Sequence, residues 1–293
     1  MTAYRFIRSE EANHSIRLMC RVLKVVRSCF YTWRAGRTHS GRDDVTARVH
    51  IRAIHRRHKG RYGAPRITAE LRAQGLLVNH KRVARLMREE GLVGTPRRRF
   101  RGTTTDSAHQ QPVAPNLLKR EFTVEAPNIA LVGDITYLPT ELGWVYLAVL
   151  IDLYSRKVVG WALDTAIDTP LCLEALRRVV ATRGPLRGAI HHTDRGCQYT
   201  SKAYTAAVEQ AGMQQSMSRK GNCWENAVAE SFFGTLEQEL VAEARWHDHH
   251  DARKAVSHYI HQYFNAERRH STLGYLSPCD FESFRLSSCS EAA

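Results

Sequence analysis

Asp194 and Glu230 stand with thirty-five residues between them, and Asp134 lies well upstream inside an apolar run. The aspartates sit in IALVGDITYL and AIHHTDRGCQYT, the glutamate in NCWENAVAESFFGTLE. An ionised carboxylate among apolar neighbours is costly unless it is paired or bound to a metal. Asp194 follows directly on a strand-like run, where sheets of α/β proteins tend to hold ligands. On a helix through Glu230, Asn226 at i−4 and Gly234 at i+4 share its face, and these small groups leave room for a cation and a substrate backbone. Oxygen donors without a Cys/His set suit Mg²⁺ or Mn²⁺ rather than zinc. Two such ions would activate a nucleophile and stabilise the leaving oxygen of a phosphodiester. Spacing alone does not make a site, since any chain contains three acids; the local contexts carry the argument.

The histidines fit that chemistry less well. His191 and His192, beside Asp194, read as groups that orient it or pack, ahead of metal ligands, because hard cations prefer oxygen. His247, His249 and His250 begin a polar segment with no cysteine partners for zinc, and read as a solvated loop.

Charge points the same way as the carboxylates. The 293 residues carry a formal charge of +14, unevenly placed. Residues 1–120 hold 27 Lys/Arg against 8 Asp/Glu, whereas residues 121–293 hold 16 against 21. A basic front half on a mildly acidic back half reads as a DNA-binding arm on a catalytic body, with phosphate neutralisation as the use of the cations. Seven cysteines without C-x-x-C spacing, and no secretory segment before them, read as reduced cytosolic thiols. No apolar run approaches the ~20 residues that cross a bilayer.

The elements that must position these groups follow from periodicity. Residues 10–34 predict two short helices, with Ile16, Met19, Cys20 and Leu23 at helical spacing and a break at Val25-Val26-Arg27-Ser28. The stretch RAGRTHSGRDD reads as a linker. Helices are expected from Ala47 to Arg57, from Arg66 to Gln74 closed by Gly75, and from an Asn79 cap through HKRVARLMREEG. Three short helices, the last of them basic, resemble a helix-turn-helix, with Lys81, Arg82, Arg85 and Arg88 toward phosphate or groove; an ordinary solvated hairpin would show the same pattern. Arg97, Arg98, Arg99 and Arg101 could follow a DNA backbone across the next linker. Then IALVGDITYL, WVYLAVLIDLYS and KVVGWAL form a meander of three strands. A helix over 169–182, a strand LRGAIHHTD, a helix from Ser201 to Ala211 and a strand MQQSMS follow. Long helices are expected from Trp224 to about Glu243 and from about His250 to Phe264. The result is an α/β body with a mixed sheet.

GDITYL, GWVYLAVLIDLYSRKVVGW, HHTDRGCQYTS, SMSRKGNCWENAVAESFF and YFNAERRHSTLGYLSPCDF resemble OrfB-type transposases of the insertion-sequence-three family, from Asn128 to Phe281. RYGAPRI and the basic helix extend the resemblance back to about residue 43, and RLMCRVLKV…FYTW resembles the family's N-terminal segment. The resemblance implies a ribonuclease-H-like fold shared with retroviral integrases and an Asp-Asp-Glu metal site at Asp134, Asp194 and Glu230. It implies Mg²⁺ or Mn²⁺, two ions, as cofactor. Asp152 matches another recurrent family acid, with a supporting role or a pairing with Arg156; Asn226 and His192 are further supporting candidates. The family usually carries Lys or Arg seven residues after the glutamate, almost two helical turns on the same face. Here that position is Glu237, and Arg195, Arg219 and Lys220 could supply replacement charge. Trp224, in the loop RKGNCWENA where Gly221 allows a turn and Asn222 a cap, either stacks on an unpaired base or anchors the helix. Arg268, Arg269 and His270 either approach DNA or pair with the acidic body.

The implied organisation is an N-terminal helical segment (1–42), a helix-turn-helix-like domain (43–102), a linker (103–121), a ribonuclease-H-like core (122–286) and a tail (287–293). The implied activity is metal-dependent strand cleavage and transfer in transposition, carried out in the cytoplasm. DNA, an upstream OrfA protein or its frameshift fusion, and further copies of the chain are the implied partners. A catalytically weak DNA-binding regulator and a simple nuclease of the same fold are the alternatives. No sustained heptad of a leucine zipper is present.

Overall fold

A computed structural model describes residues 2–36, 41–95, 111–119, 122–219 and 226–290, without the side chains of 41–43 and 285–290. Two compact units divide it, Met1–Gly94 and Thr95–Ala293.

The first unit is helical. Helices α1 (Ala3–Ser9), α2 (Ile16–Val22) and α3 (Arg27–Arg34) bury Ile7, Met19, Cys20 and Phe30 together. Helix α1 escapes the sequence reading because one buried side chain, Ile7, holds it, and that anchor exists only once Phe30 is in place. Helix α3 starts after Val26 without a side-chain cap, so Ser28 lies inside it.

Helices α4 (Gly41–Arg57), α5 (Ala64–Ala73) and α6 (His80–Glu89) close over Ile51, Ile67, Leu71, Val83 and Leu86. Asn79 caps α6, its Oδ1 accepting the Lys81 N–H at 2.8 Å. Helix α4 begins six residues ahead of the expected Ala47, within the segment read as a linker. The reason is tertiary: Asp44 accepts from Arg82 at 2.7 Å and from Arg85 at 2.9 Å, so α6 holds the first turns of α4.

The second unit is built on a five-stranded sheet in the order β3-β2-β1-β4-β5. Strands β1 (Ala130–Thr140), β2 (Gly143–Asp152) and β3 (Val158–Asp164) form the expected antiparallel meander. Strands β4 (Ile190–Thr193) and β5 (Gln214–Met217) add in parallel on the far side of β1. Helix α7 (Thr169–Arg183), capped by Asp168, leads into β4. The short α8 (Cys197–Thr200) and α9 (Lys202–Gln210), capped by Ser201, bridge β4 to β5. Leu131, Ile135, Ala148 and Ala162 face α7 and α9 in the main core.

Helices α10 (Ala227–Leu236) and α11 (His249–His258) lie against the other face, each running on into a π-helical stretch, Glu237–Val241 and Tyr259–Phe264. The helix expected from Trp224 thus starts at Ala227 after an Asn226 cap position, and Trp224, with Lys220, Gly221 and Asn222, lies outside the described residues. His249 and His250 belong to the first turn of α11, whose N-cap is Asp248, rather than to a loop. Helix α12 (Pro278–Ser290) closes the unit. This mixed sheet with flanking helices is the ribonuclease-H-like arrangement.

No helix among the described residues is long and apolar enough to cross a membrane. Cys20, Cys29, Cys172, Cys197 and Cys279 are free thiols.

Candidate active site

Asp134 sits in the middle of β1, on the central strand of the sheet, with its side chain on the α10 face. Its neighbour Gly133 is required by what lies beneath. A Cβ there would come within 2.9 Å of the His191 ring and 3.2 Å of the Thr193 methyl, so β4 could not lie so close. The register pairs Val132 with His192 in parallel, and two residues further each strand carries its aspartate. Asp194 is therefore abreast of Asp134, just where β4 ends. Its Oδ1 accepts the Gly196 N–H at 3.0 Å, which fixes the carboxylate at the start of the following turn.

Glu230 occupies the fourth position of α10, which packs on β1 and β2. Ala229, Phe232, Phe233 and Leu236 form the buried stripe that seats the helix. Electrostatics tie the three acids together. Burial pushes the Asp134 carboxyl well above the ordinary carboxylate range, and the charges of Asp194 and then Glu230 add to it, against one backbone N–H from Ile135 that lowers it. Burial also raises Glu230. Mutual repulsion in a partly desolvated space is what a bound cation relieves.

The donor set is all oxygen, and the Asn226 Oδ1, one turn before Glu230, is buried without a hydrogen-bond partner among the described residues. Both features fit a hard divalent ion. Among the described residues, however, no three His, Cys, Asp or Glu side chains are gathered tightly enough to enclose one. The acids are within electrostatic reach of one another but do not form a closed cage. Uncompensated like charges held on three separate elements are expected to stand apart in this way.

The supporting candidates separate by location. Asp152 is fully buried at the far end of β2, paired with Leu131 rather than with Asp134. Its oxygens accept the N–H groups of Asn128 at 2.7 Å, Tyr154 at 2.8 Å and Ser155 at 3.2 Å, so it shapes the turn into β3. Burial lowers the pKa of the half-buried Arg156, and the Asp152 charge opposes this without a direct ion pair. His191 meets the Tyr204 hydroxyl at 2.8 Å, and burial pulls its pKa down to about 3. His192 meets Ser216 Oγ at 2.8 Å, which ties β4 to β5.

The cations are distributed unevenly. Lys81 and Arg88 are exposed on α6, whereas Arg82 and Arg85 lie half-buried against Asp44. Arg195 donates to the Ser218 carbonyl at 2.7 Å, beside the C-terminal end of β5, and Arg219 follows it in the chain. Arg97, Arg98, Arg99 and Arg101 lie outside the described residues. Glu237 is exposed. Arg268 is buried in a bidentate pair with Glu239, and Arg269 donates to the Tyr275 carbonyl at 2.8 Å. Sequence reasoning passed over Trp161, Arg178 and the α11 cations Arg253 and Lys254, whose only signal is a polar stripe at helical spacing.

Comparisons with known proteins show the family. Residues 124–223 and 211–278 match two descriptions of an integrase core domain, and residues 42–100 match an HTH-like domain. Over 291 residues the chain is 43% identical to transposase InsF for insertion sequence IS3A of Escherichia coli (strain K12), covering 97% of this chain and 99% of that one. It is 40% identical over 264 residues to an uncharacterized 31 kDa protein of insertion element IS600 from Shigella sonnei, covering 90% and 97%. Among solved structures, the HTLV-2 integrase catalytic core domain in complex with magnesium is loosely alike, at 16% identity and a TM-score of 0.40, over 54% of this chain and 97% of that one.

Proposed function

The chain belongs to the transposases of the insertion-sequence-three family, polynucleotidyl transferases of DNA transposition, and on that premise we propose that Asp134, Asp194 and Glu230 are its catalytic carboxylates. The observation that carries this reading is the parallel register of β1 and β4, which sets Asp194 abreast of Asp134, with α10 and its Glu230 packed on the same strand. Bound there, two Mg²⁺ or Mn²⁺ ions would supply Lewis-acid activation of the attacking oxygen and charge neutralisation at the leaving one.

The chain's own part is placement. Asp134 is held by the central strand, Asp194 by the Gly196 N–H, and Glu230 by the apolar stripe of α10. Water and then a 3′-hydroxyl are the nucleophiles, so no serine or tyrosine forms a covalent link to DNA. Asn226 lines the same helix face as Glu230. Asp152 and His192 support the strands that carry the aspartates and do not take part in the chemistry. The Arg195 and Arg219 cations sit beside the end of β5 and steady the DNA backbone.

The N-terminal helix-turn-helix-like part, residues 43–102, engages DNA through Lys81 and Arg88. Arg82 and Arg85 join them where Asp44 yields, the basic run Arg97, Arg98, Arg99 and Arg101 adds contacts to DNA phosphates, and the catalytic core is 122–286. Joining two element ends to a target calls for at least two copies on DNA, and an upstream OrfA protein, separate or fused, is the expected partner. The work is done in the bacterial cytoplasm.

The test is strand cleavage and joining on labelled element-end DNA with Mg²⁺ or Mn²⁺, comparing the parent with Glu230→Gln, with and without OrfA. Metal-dependent joined products that vanish in the variant are expected. Joined products that survive Glu230→Gln would remove the glutamate from the site. Tight binding without cleavage under every condition would favour the regulator, for which the exposed acid Glu237 is the specific observation.

A further inference from the structure

Residues 121–293 carry more acids than bases, yet the charged side chains that line one groove on this body, Arg178, Arg253 and Lys254, are all cations. It has a volume of about 690 Å³ and lies between the edge strand β3, helix α7 and helix α11. Its long wall is a single stripe of α11 and the π-helical turn after it: His250, Arg253, Lys254, Ser257, His258 and His261. These recur at intervals of three and four, with Ala252, Val256, Tyr259 and Ile260 buried on the opposite side. The stripe runs about 16 Å along the axis, the length of roughly five nucleotide steps of a DNA strand.

The floor is Trp161. Arg178 reaches round the sheet edge to lie 5.1 Å from the centre of its ring, and donates to its carbonyl at 2.9 Å. Arg253 donates to the Leu163 carbonyl at 2.6 Å. The two guanidiniums thus cover outward carbonyls of the edge strand, and each has more N–H donors than these bonds use. The Trp161 indole N–H donates to His261 Nε2 at 3.1 Å, which leaves the His261 proton on Nδ1 as a donor. The nearby acids are Glu174, paired with Arg178 at 2.8 Å and with Arg177, Asp248 at the N-cap of α11 and Asp251 in its first turn. None of them lines the groove.

The groove is also in line with the carboxylates. Asp134 pairs with Val149 and Val149 with Trp161, so the three share one row and one face of the sheet. We propose that this groove binds backbone phosphates of DNA, as a second contact on the catalytic body two strands, about 10 Å, from Asp134. It rests on the transposase reading for the identity of the polyanion. A concave cationic surface with low-dielectric walls concentrates such a ligand. The contact holds duplex along the β3 edge while the acids act on a neighbouring phosphodiester.

The test uses the full chain and the charge reversal Lys254→Glu, because Lys254 is exposed and makes no ion pair among the described residues. Arg253→Ala is the second variant, with thermal melting to check that the β3 edge survives. Binding of a fluorescent element-end duplex is measured across a salt series, alongside strand joining and the mass of the free protein. Affinity is expected to fall about tenfold at roughly 0.1 M salt, with the log–log salt slope shallower by about 1 to 2, since each phosphate contact contributes about 0.9. Lys254→Arg should bind as the parent does. Unchanged affinity and slope in both variants overturn the proposal even if the parent joins ends normally. Unchanged binding with a shifted mass overturns it in favour of a contact between copies. Weakened binding in the two variants, with a parent that never joins ends, keeps the phosphate site and removes the strand-transfer reading instead.

Discussion

Arg268 and Glu239 form a bidentate ion pair at 2.8–3.0 Å, both side chains almost wholly buried, and Tyr259 donates its hydroxyl to the same carboxylate at 2.9 Å. Burial alone would lower the Arg268 pKa, but the charge and hydrogen bonds of Glu239 hold it above the ordinary value. Glu239 lies in the π-helical extension of α10, so the clasp anchors the helix that carries Glu230. Removing one partner leaves a buried charge uncompensated. Arg268→Met is expected to cost about 3–5 kcal/mol. Urea unfolding measures it, and a loss under about 1 kcal/mol would show the pair to be incidental.

Gly133 is the position where β1 and β4 approach too closely for a side chain. Gly133→Ala drives a methyl against the His191 ring, itself held by Tyr204. A cost of about 1–3 kcal/mol is expected, as for other overpacked cores. Asp194 should lose its place beside Asp134 at the same time, so activity falls further than stability explains. A variant that melts and joins DNA like the parent would contradict this.

Divalent metal should stabilise the free protein. Asp134 has a folded pKa above its unfolded value, so its contribution to stability is full at acid pH and is lost as pH rises through the folded value. At neutral pH without metal, Asp134→Asn is therefore expected to melt higher than the parent. Adding Mn²⁺ at about 100 times its Kd should stabilise the parent by about 2.7 kcal/mol and the variant by much less. Equal shifts in both would place the ion elsewhere.

Glu237 is exposed, seven residues beyond Glu230, where α10 passes into its π-helical extension. An acid there repels the phosphates that approach the site, so Glu237→Lys should raise affinity for element-end DNA and steepen its salt dependence by about 1. Polarisation titrations at two salt concentrations decide it. No gain would mean that the DNA path does not cross this face.

Asp44 pairs with Arg82 and Arg85, and Arg85, still 43% exposed, is also bound by Glu89. Asp44→Asn releases Arg82 and loosens Arg85, which keeps Glu89, at the cost of the α4–α6 tie. Tighter, less selective DNA binding with a lower melting temperature is expected. Unchanged binding would mean that these arginines serve the helix pair alone.

Much of this chain is local and therefore legible in its sequence. Near-continuous apolar runs between short turns mark β1 to β3 within a few residues of where they lie, because a strand covered on both faces is apolar at almost every position. The Asn79 cap and the Val83, Leu86, Met87 face mark α6 at helical period. The three acid-bearing elements, and the family motifs around them, need no tertiary information. What folding alone decided is contact between residues far apart in the chain. The parallel register that brings Asp194 abreast of Asp134, the early start of α4 drawn out by Asp44, and the burial of Arg268 against Glu239 each depend on a distant partner. So does the row from Asp134 through Val149 to Trp161, which turns a polar stripe on α11 into the wall of a groove. Periodicity reports which side of an element is apolar, but only the packed sheet determines what that side meets.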